Sequence, residues 1–224
     1  MIIRKYGITI KRLKEDDIEL VRQMRNSPEI QRNMYYRRHI TSKMQKKWFR
    51  SVNNKKNGYF IIEYAGKKIG LIHGKDNDYE KRTSEGGIFI WDKKYIGSIV
   101  PALASLILDD YTFLITHFNA TYAKVLTTNK SVIEYNKMMG YVPCEPQNDD
   151  KGVQWMILTH ENFLKRMKRL RPGIKIQTGD GEPLKPEDVD FSDDSPEDIE
   201  RLYKGLPPDI QKPIDEQLLK LKRK

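Results

Sequence analysis

Residues 86–108, GGIFIWDKKYIGSIVPALASLIL, join a strand-like apolar run to a longer helix-like apolar run through a turn that contains one glycine, Gly97. Gly97 lets the backbone turn, and Pro101 is tolerated because N–H groups in a first helical turn have no helical partner. Free N–H groups at a helix N-terminus can bind an anion. The stretch therefore predicts a strand, an anion-binding turn and a helix in succession.

The remainder of the chain supplies further strands and helices on both sides of this stretch. Apolar and alternating runs predict strands at 7–13, 58–65, 68–75, 120–128 and 152–160, and helical spacing predicts helices at 14–26, 44–52, 129–139 and 161–171. Ser27 followed by Pro28 indicates that a helix restarts there. This order of elements predicts a mixed α/β (α+β) sheet with one crossover.

Charge and composition change near residue 171. The 224 residues have a formal net charge of +10, yet residues 171–224 carry 10 basic and 13 acidic side chains, so that residues 1–170 alone carry +13. We expect one domain over 1–170, followed over 171–224 by an acidic linker and a short helical C-terminal extension. The acidic run could fold back on the basic body or hang free.

Composition also excludes some classes of protein. No window is apolar enough for a membrane span, and the N-terminus lacks the apolar stretch of a signal peptide, so we expect a soluble cytoplasmic protein. The lone Cys144 leaves no internal disulfide and no thiolate metal site, and no metal is expected. A basic body could attract nucleic acid, an anionic membrane face or an anionic small molecule such as a nucleotide, but no nucleic-acid motif is present.

A second informative stretch is NKSVIEYNKMMGY, residues 129–141. Asn129 is suited to cap a helix whose apolar face contains Val132, Tyr135 and Met139, and Gly140 is suited to end it. By itself this pattern predicts a helix and nothing more.

Together the two stretches resemble the GNAT superfamily of N-acetyltransferases. Lys94 and Gly97 match its pyrophosphate-binding loop, in which Ile99 replaces a second small residue. Asn129, Gly140 and Tyr141 match a later signature, in which Asn136 occupies the position of a tyrosine. The resemblance implies the GNAT fold, a mixed central sheet of about six to seven strands flanked by helices, and acetyl-CoA as acyl donor.

The N-terminal run MRNSPEIQRNMYYRRHITSKMQKKWF, residues 24–49, narrows the resemblance. It is similar to acetyltransferases that modify amino sugars on nucleotide carriers, such as the pseudaminic acid pathway enzyme, and shares parts with those that acetylate ribosomal protein N-termini. The implied acceptor is a small-molecule amine, with a nucleotide-linked sugar as one form of it. The implied acceptor-binding residues are Arg25, Asn26, Arg37, Arg38 and Trp48. The alternative for these five is a basic surface loop beside a structural tryptophan.

The resemblance also implies a donor groove and a catalytic set. The donor-binding residues would be Phe89, Ile90, Lys94, Tyr95, Ile96, Gly97, Ser98, Ile99 and Asn129. Glu85 is the candidate general base acting through water, with an ion-paired strand carboxylate as the alternative. Tyr135 is the candidate acid for the leaving thiolate, or else a core residue, and Asn136 could only hydrogen-bond. His39 and His73 are interpreted as loop and strand histidines.

Three function classes follow from these patterns. The first is an acetyl-CoA-dependent N-acetyltransferase of an amino sugar on a nucleotide. The second is acetylation of a protein N-terminus or lysine. The third is a GNAT-fold binding module with weakened catalysis, for which Ile99 and Asn136 are the supporting departures. The chain is expected to be a monomer or a homodimer, and Ile99 raises the question of clearance for the donor.

Overall fold

A single mixed sheet organises the computed structural model, which describes residues 1–146 and 151–222. Within these residues the strands are β1 (Ile2–Lys5), β2 (Ile8–Arg12), β3 (Gly58–Tyr64), β4 (Lys67–Asp78), β5 (Thr83–Ile90), β6 (Ala120–Leu126), β7 (Val142–Pro143), β8 (Val153–Thr159) and β9 (Val189–Asp190). Their spatial order is β7-β8-β6-β5-β4-β3-β2-β1-β9. Only the β5–β6 pair is parallel.

Helices cover both faces of the sheet. They are α1 (Ile18–Asn26), α2 (Pro28–Gln31), α3 (Ser42–Val52), α4 (Val100–Asp110), α5 (Lys130–Met139), α6 (His160–Thr178), α7 (Pro196–Tyr203) and α8 (Pro208–Lys222), and a π-helical turn, Tyr111–Ile115, extends α4. A small core that includes Val21, Phe49 and Leu71 joins α1 and α3 to one face, called here the α1–α3 face. The main core, with Phe60, Leu106 and Met156, lies on the opposite face under α4, α5 and α6, called here the α4 face.

Local sequence signals explain where the helices begin and end. The Thr41 hydroxyl accepts from Met44 N–H at the start of α3, and the Asn129 side chain accepts from Val132 N–H at the start of α5. Gly140 follows α5 with φ +104°, a left-handed conformation that glycine adopts without a Cβ penalty. The helix restart at Ser27 and Pro28 is confirmed as α2.

The expected mixed sheet flanked by helices is confirmed, with nine strands among the described residues where six to seven were expected. The additional strands are short: β7 and β9 have two residues each, and β1 pairs with β2 across a turn at Tyr6 and Gly7. Tyr6 and Gly7 both have positive φ, as a tight hairpin turn requires. β9 pairs with β1 over more than 180 residues of sequence, so local patterning could not indicate it.

The C-terminal segment packs on the body, unlike a solvated linker. Leu184, Val189 and Phe191, within the stretch expected to be a linker, belong to the main core. Arg171 forms an ion pair of 2.6 Å with the buried Asp110, whose other oxygen accepts from Leu184 N–H.

Acidic residues of the segment contact cations of the body: Asp180 with Lys5, Asp193 with Lys11 and Lys14, and Asp194 with the N-terminal amino group of Met1. These contacts offset the free-energy cost of removing the acidic side chains from water when the segment packs on the body. The last two residues of the expected extension lie outside the described residues.

None of the helices in residues 1–146 and 151–222 is long and apolar enough to cross a membrane. Those same residues contain no group of three or more His, Cys, Asp or Glu side chains that could hold a metal ion. Cys144 is half-buried.

Candidate active site

The parallel strands β5 and β6 separate after three residue pairs. Thr83, Ser84 and Glu85 pair with Ala120, Thr121 and Tyr122. Beyond this point β5 continues from Gly86 to Ile90 against β4 alone, and β6 continues against β8 alone. One edge of β5 therefore has no strand partner, and an opening, called here the cleft, begins at the Glu85–Tyr122 pair.

A cavity of about 110 Å³ occupies the closed end of the cleft. Both strands contribute to its walls, β5 with Ser84, Gly86 and Gly87 and β6 with Thr121 and Ala123, while α4 and α5 cover it on the α4 face. It also receives His73 from β4 on the α1–α3 face, so the cavity reaches both sides of the sheet. An extended molecule with polar backbone-like groups could pair with the free edge of β5 and end at this cavity.

The turn between β5 and α4 has the geometry of an anion site. Gly97 has φ +80° and open space around it, so it is required for its backbone conformation. Within the described residues, the N–H groups of Gly97 and Ile99 have no hydrogen-bond acceptor, although they lie at the N-terminus of the 11-residue helix α4. The side chains of Ile96 and Ile99 are exposed, by 61% and 41%. Ile99 therefore points at least partly to solvent, and its N–H is available.

The remaining predicted donor residues have mixed surroundings. Lys94 lies over the ring of buried Tyr95, and Ser98 bonds the Tyr95 carbonyl through its hydroxyl. Trp91 N–H donates to the Ile69 carbonyl and Ile90 pairs with Gly70, so the ladder directs the backbone groups of Ile90 to the free edge of β5 and those of Phe89 to β4. The side chain of Asn129 is used as the cap of α5.

Glu85 lies at the last paired position of β5, on the α1–α3 face. Its two carboxylate oxygens contact two lysines, Lys75 at 2.9 Å and Lys124 at 3.3 Å, and its side chain is 17% exposed. Lys124 also lies over the ring of Trp155. Glu85 is thus ion-paired at the entrance of the cleft, where water and an acceptor could reach it.

His73 is held against β5 by a glycine. A Cβ on Gly87 would lie 2.6 Å from His73 Cε1, so only glycine leaves room for the imidazole. Tyr59 packs on the other side of the ring, with centroids 4.9 Å apart. Burial, followed by the charges of Lys75 and Arg25, lowers the pKa of His73 to about 3, and its Nδ1 is buried without a partner among the described residues. A neutral imidazole with a free ring nitrogen therefore faces the cleft.

The structure brings Arg25 and Trp48 together near His73 and does not bring Asn26, Arg37 and Arg38 into the same cluster. Arg25 lies over the ring of Phe89, and Trp48 contacts Tyr59 edge to face. Asn26 uses its amide to bond both the N–H and the C=O of Ile40 at 2.8 Å, which fixes the loop after α2. In that loop Arg37 and Arg38 are exposed.

Tyr135 and Asn136 both line the cavity, but neither side chain is free. The Tyr135 hydroxyl donates to the Pro101 carbonyl at 3.1 Å and lies 2.7 Å from the Ser105 hydroxyl, and burial raises its pKa. The Asn136 amide donates to the Met156 sulfur at 3.8 Å. Tyr135 would have to leave its bond to Pro101 before it could donate a proton to a leaving group.

Three further residues, Tyr141, Asp109 and His73, line the cavity, and the sequence did not predict this for them. The Tyr141 hydroxyl lies 3.4 Å from where a Cβ on Gly86 would be, beside Thr121. Asp109 lines the cavity from α4 with an unpartnered, buried Oδ2, and burial raises its pKa to about 8. His73 is the third. Two features of the sequence could have indicated these residues. They are the aspartate within the apolar run LILDDY, and the glycine pair at 86–87 on the strand after His73.

Comparison with known proteins decides the family. The profile of the Acetyltransferase (GNAT) domain matches residues 8–142, more than half of the chain. The chain belongs to the GNAT acetyltransferase family. No curated protein sequence matches the chain at a significant level. Solved structures with the same fold do match it.

Two of the similar solved structures illustrate the likeness. The spermidine N-acetyltransferase of Vibrio cholerae, in complex with CoA and spermine, has a TM-score of 0.62 and 19% identity, covering 71% of this chain and 99% of that chain. A domain from Methanocaldococcus jannaschii has a TM-score of 0.58 and 18% identity, covering 68% and 97%. At these identities the likeness shows the fold.

Family membership indicates the general type of reaction that takes place in the cleft. This GNAT protein is an N-acetyltransferase with acetyl-CoA as its acetyl donor. The residues present fit the donor: free N–H groups at Gly97 and Ile99 for an anion, and a free edge of β5 for the pantetheine arm. The amino-sugar and ribosomal-protein subfamilies remain predictions, since the structures named here include a polyamine acetyltransferase.

Proposed function

We propose that the acceptor is a primary amine on a molecule that also carries negative charge, with an amino sugar on a nucleotide carrier as the best fit. The observation that supports this most strongly is the Arg25 guanidinium on the α1–α3 face. Its Nε is buried without a partner among the described residues, and burial lowers the pKa of this half-buried side chain. A partly desolvated guanidinium whose Nε has no acceptor is costly, and a phosphate or carboxylate of the acceptor would offset that cost.

The carboxylates of this region support the same choice. Glu85 contacts Lys75 and Lys124, and Asp76 contacts Lys75 at 3.3 Å. Both carboxylates are already paired with a lysine, so a polyamine would have to displace a lysine to form an ion pair with either of them. The formal net charge of +10 adds long-range attraction for anions and repulsion for polyamines.

In this proposal the acceptor amine approaches the closed end of the cleft from the α1–α3 face. Glu85, paired with Lys75 and Lys124, accepts the amine proton through water, and His73 accepts a hydrogen bond at Nδ1 to orient the amine or that water. On the α4 face, Tyr141 or Tyr135 supplies a proton to the leaving thiolate, and Tyr141 is the one whose hydroxyl lies at the closed end.

The test is release of free CoA thiol from acetyl-CoA with three acceptor classes: nucleotide-linked amino sugars, spermidine, and peptides with free N-termini. We expect turnover with a nucleotide-linked amino sugar. Arg25→Gln should raise the acceptor KM at least tenfold, about 1.4 kcal/mol, and leave the acetyl-CoA KM within twofold. Arg22→Gln, on the same helix but paired with Glu19, is the matched control and should change neither.

A higher kcat/KM for spermidine or for a peptide than for every anionic amine, unchanged in Arg25→Gln, would contradict the proposal. A Glu85→Gln variant with unchanged turnover and an unchanged pH profile would remove Glu85 as the proton acceptor.

A further inference from the structure

A row of glycines crosses the sheet on the α4 face. Gly58, Gly74 and Gly86 lie directly opposite one another on β3, β4 and β5. A Cβ built on Gly74 would meet no atom within 4 Å, whereas one on Gly86 would meet the hydroxyls of Thr121 and Tyr141. There is consequently open space over Gly74, next to the closed end of the cleft.

Two cavities lie next to each other at this glycine. The cleft cavity and a second cavity of about 50 Å³ share Gly74, Leu108 and Thr112 in their walls. The second one continues beneath the C-terminal segment, where Leu202 and Tyr203 close it. The space beyond the closed end is therefore larger than an acetyl methyl group needs, and it is directed along the sheet toward β3.

Buried polar atoms without a partner among the described residues line this space, namely Asp109 Oδ2 and His73 Nδ1 in the cleft cavity and the Tyr203 hydroxyl in the second cavity. Asp109 is 7% exposed, lies on α4 among the walls of the cleft cavity, and its Oδ2 makes no hydrogen bond within the described residues. Neighbouring Asp110, by contrast, has both Arg171 and Leu184 N–H as partners. Buried polar atoms are nearly always satisfied, so Asp109 implies an occupant that can hydrogen-bond.

We propose that this space is an acyl pocket for donors longer than acetyl-CoA, namely short acyl-CoA thioesters of about four carbons with a hydroxyl group that Asp109 hydrogen-bonds. The inference rests on the donor cleft of the proposed function. The transfer itself is unchanged: the acceptor nitrogen forms a C–N bond with the thioester carbon, the C–S bond breaks, and the amine proton is balanced by a proton gained by the CoA sulfur. The chain of the acyl group extends over Gly74, and its hydroxyl group lies at Asp109.

Donor affinity tests the pocket without any acceptor. Titration calorimetry of the full chain with acetyl-CoA, butyryl-CoA and 3-hydroxybutyryl-CoA should give a Kd for the hydroxylated donor no weaker than that for acetyl-CoA and several-fold tighter than that for butyryl-CoA. Gly74→Val should weaken both four-carbon donors about tenfold and acetyl-CoA less than threefold, because it fills only the space beyond the acetyl group. Gly173→Ala, at an open glycine of α6, is the control for folding.

Two variants of Asp109 separate its hydrogen bond from its volume. Asp109→Asn should keep the preference for the hydroxylated donor, and Asp109→Leu should abolish it. Wild-type binding that weakens tenfold on going from acetyl to either four-carbon donor would overturn the pocket, as would equal weakening of all three donors by Gly74→Val. If no CoA thioester binds, the donor cleft fails together with the pocket, whereas failure of the anionic acceptor would appear only in the acceptor panel.

Discussion

Asp109 and Asp110 are adjacent in sequence, but α4 gives them different surroundings. Asp110 is fully buried with Arg171 and the Leu184 N–H as partners. Asp109 faces the cavity, and burial followed by the charge of Asp110 raises its pKa from 3.8 to about 8. In the window between these values the folded chain holds a proton that the unfolded chain has lost, so the contribution of Asp109 to stability falls as pH rises.

Asp109→Asn should therefore stabilise the protein, and more so at pH 8 than at pH 5. We expect a gain of about 1–3 kcal/mol at pH 7, since the amide removes the ionisation but keeps a buried polar group. Urea unfolding of both proteins across this pH range measures it. Asp110→Asn is the matched control and should destabilise by about 3 kcal/mol, because it leaves Arg171 without its anion. Equal effects of the two substitutions would contradict this account.

At the anion-binding turn, Gly97 and Ile99 should respond in opposite ways. Gly97→Ala places a Cβ at φ +80° and should cost about 1–2 kcal/mol of stability and weaken acetyl-CoA binding. Ile99→Gly should change donor affinity less than threefold, because the Ile99 side chain is 41% exposed and its N–H is retained. Calorimetric Kd values check both, and a tenfold gain in Ile99→Gly would mean that the isoleucine narrows the groove.

At the scale of elements, the β4–β5 pair is built around the contact between Gly87 and His73. Gly87→Ala should destabilise the protein by about 1–3 kcal/mol because the new methyl group would overlap the imidazole. His73→Ala in that background should recover part of the loss. A coupling energy of at least about 1 kcal/mol from the double-mutant cycle is expected, and additive effects would show that the clash is relieved elsewhere.

Local sequence patterns predicted the elements whose own residues alternate, cap a helix or end one. The alternation of β2, the Asn129 cap and Gly140 around α5, and the strand–turn–helix at 86–108 were all readable from the chain. β9 was not, because its pairing with β1 depends on residues far apart in sequence. His73 and Asp109 likewise acquire their environments from register and from α4 packing, which composition and spacing do not contain.

The whole molecule is held together partly by its C-terminal segment. Apolar residues of the segment, including Phe191, Leu202 and Ile210, are part of the main core. Exposing several such side chains would cost about 1.5–3 kcal/mol each, which together approaches the total stability of an ordinary domain. The sequence suggested either docking or a free tail, and only the three-dimensional contacts decide for docking.

A chain ending at residue 170 should accordingly be unfolded or insoluble, as judged by circular dichroism and gel filtration. Asp193→Asn separates charge from apolar packing, because it removes the half-exposed contacts with Lys11 and Lys14 and keeps the core. That substitution should cost less than about 1 kcal/mol. A truncated chain with native spectra and unchanged melting would contradict a structural role for the segment.

We expect acetyl-CoA to bind in the cleft between β5 and β6 with its phosphates at the turn before α4. Amide hydrogen exchange of the full chain, with and without acetyl-CoA, measures this binding residue by residue. We expect slowed exchange at Gly97 and Ile99, and at Ile88 and Ile90, whose N–H groups face the free edge of β5, on addition of the donor. Saturable binding that protects a different region, or no binding at millimolar acetyl-CoA, would contradict it.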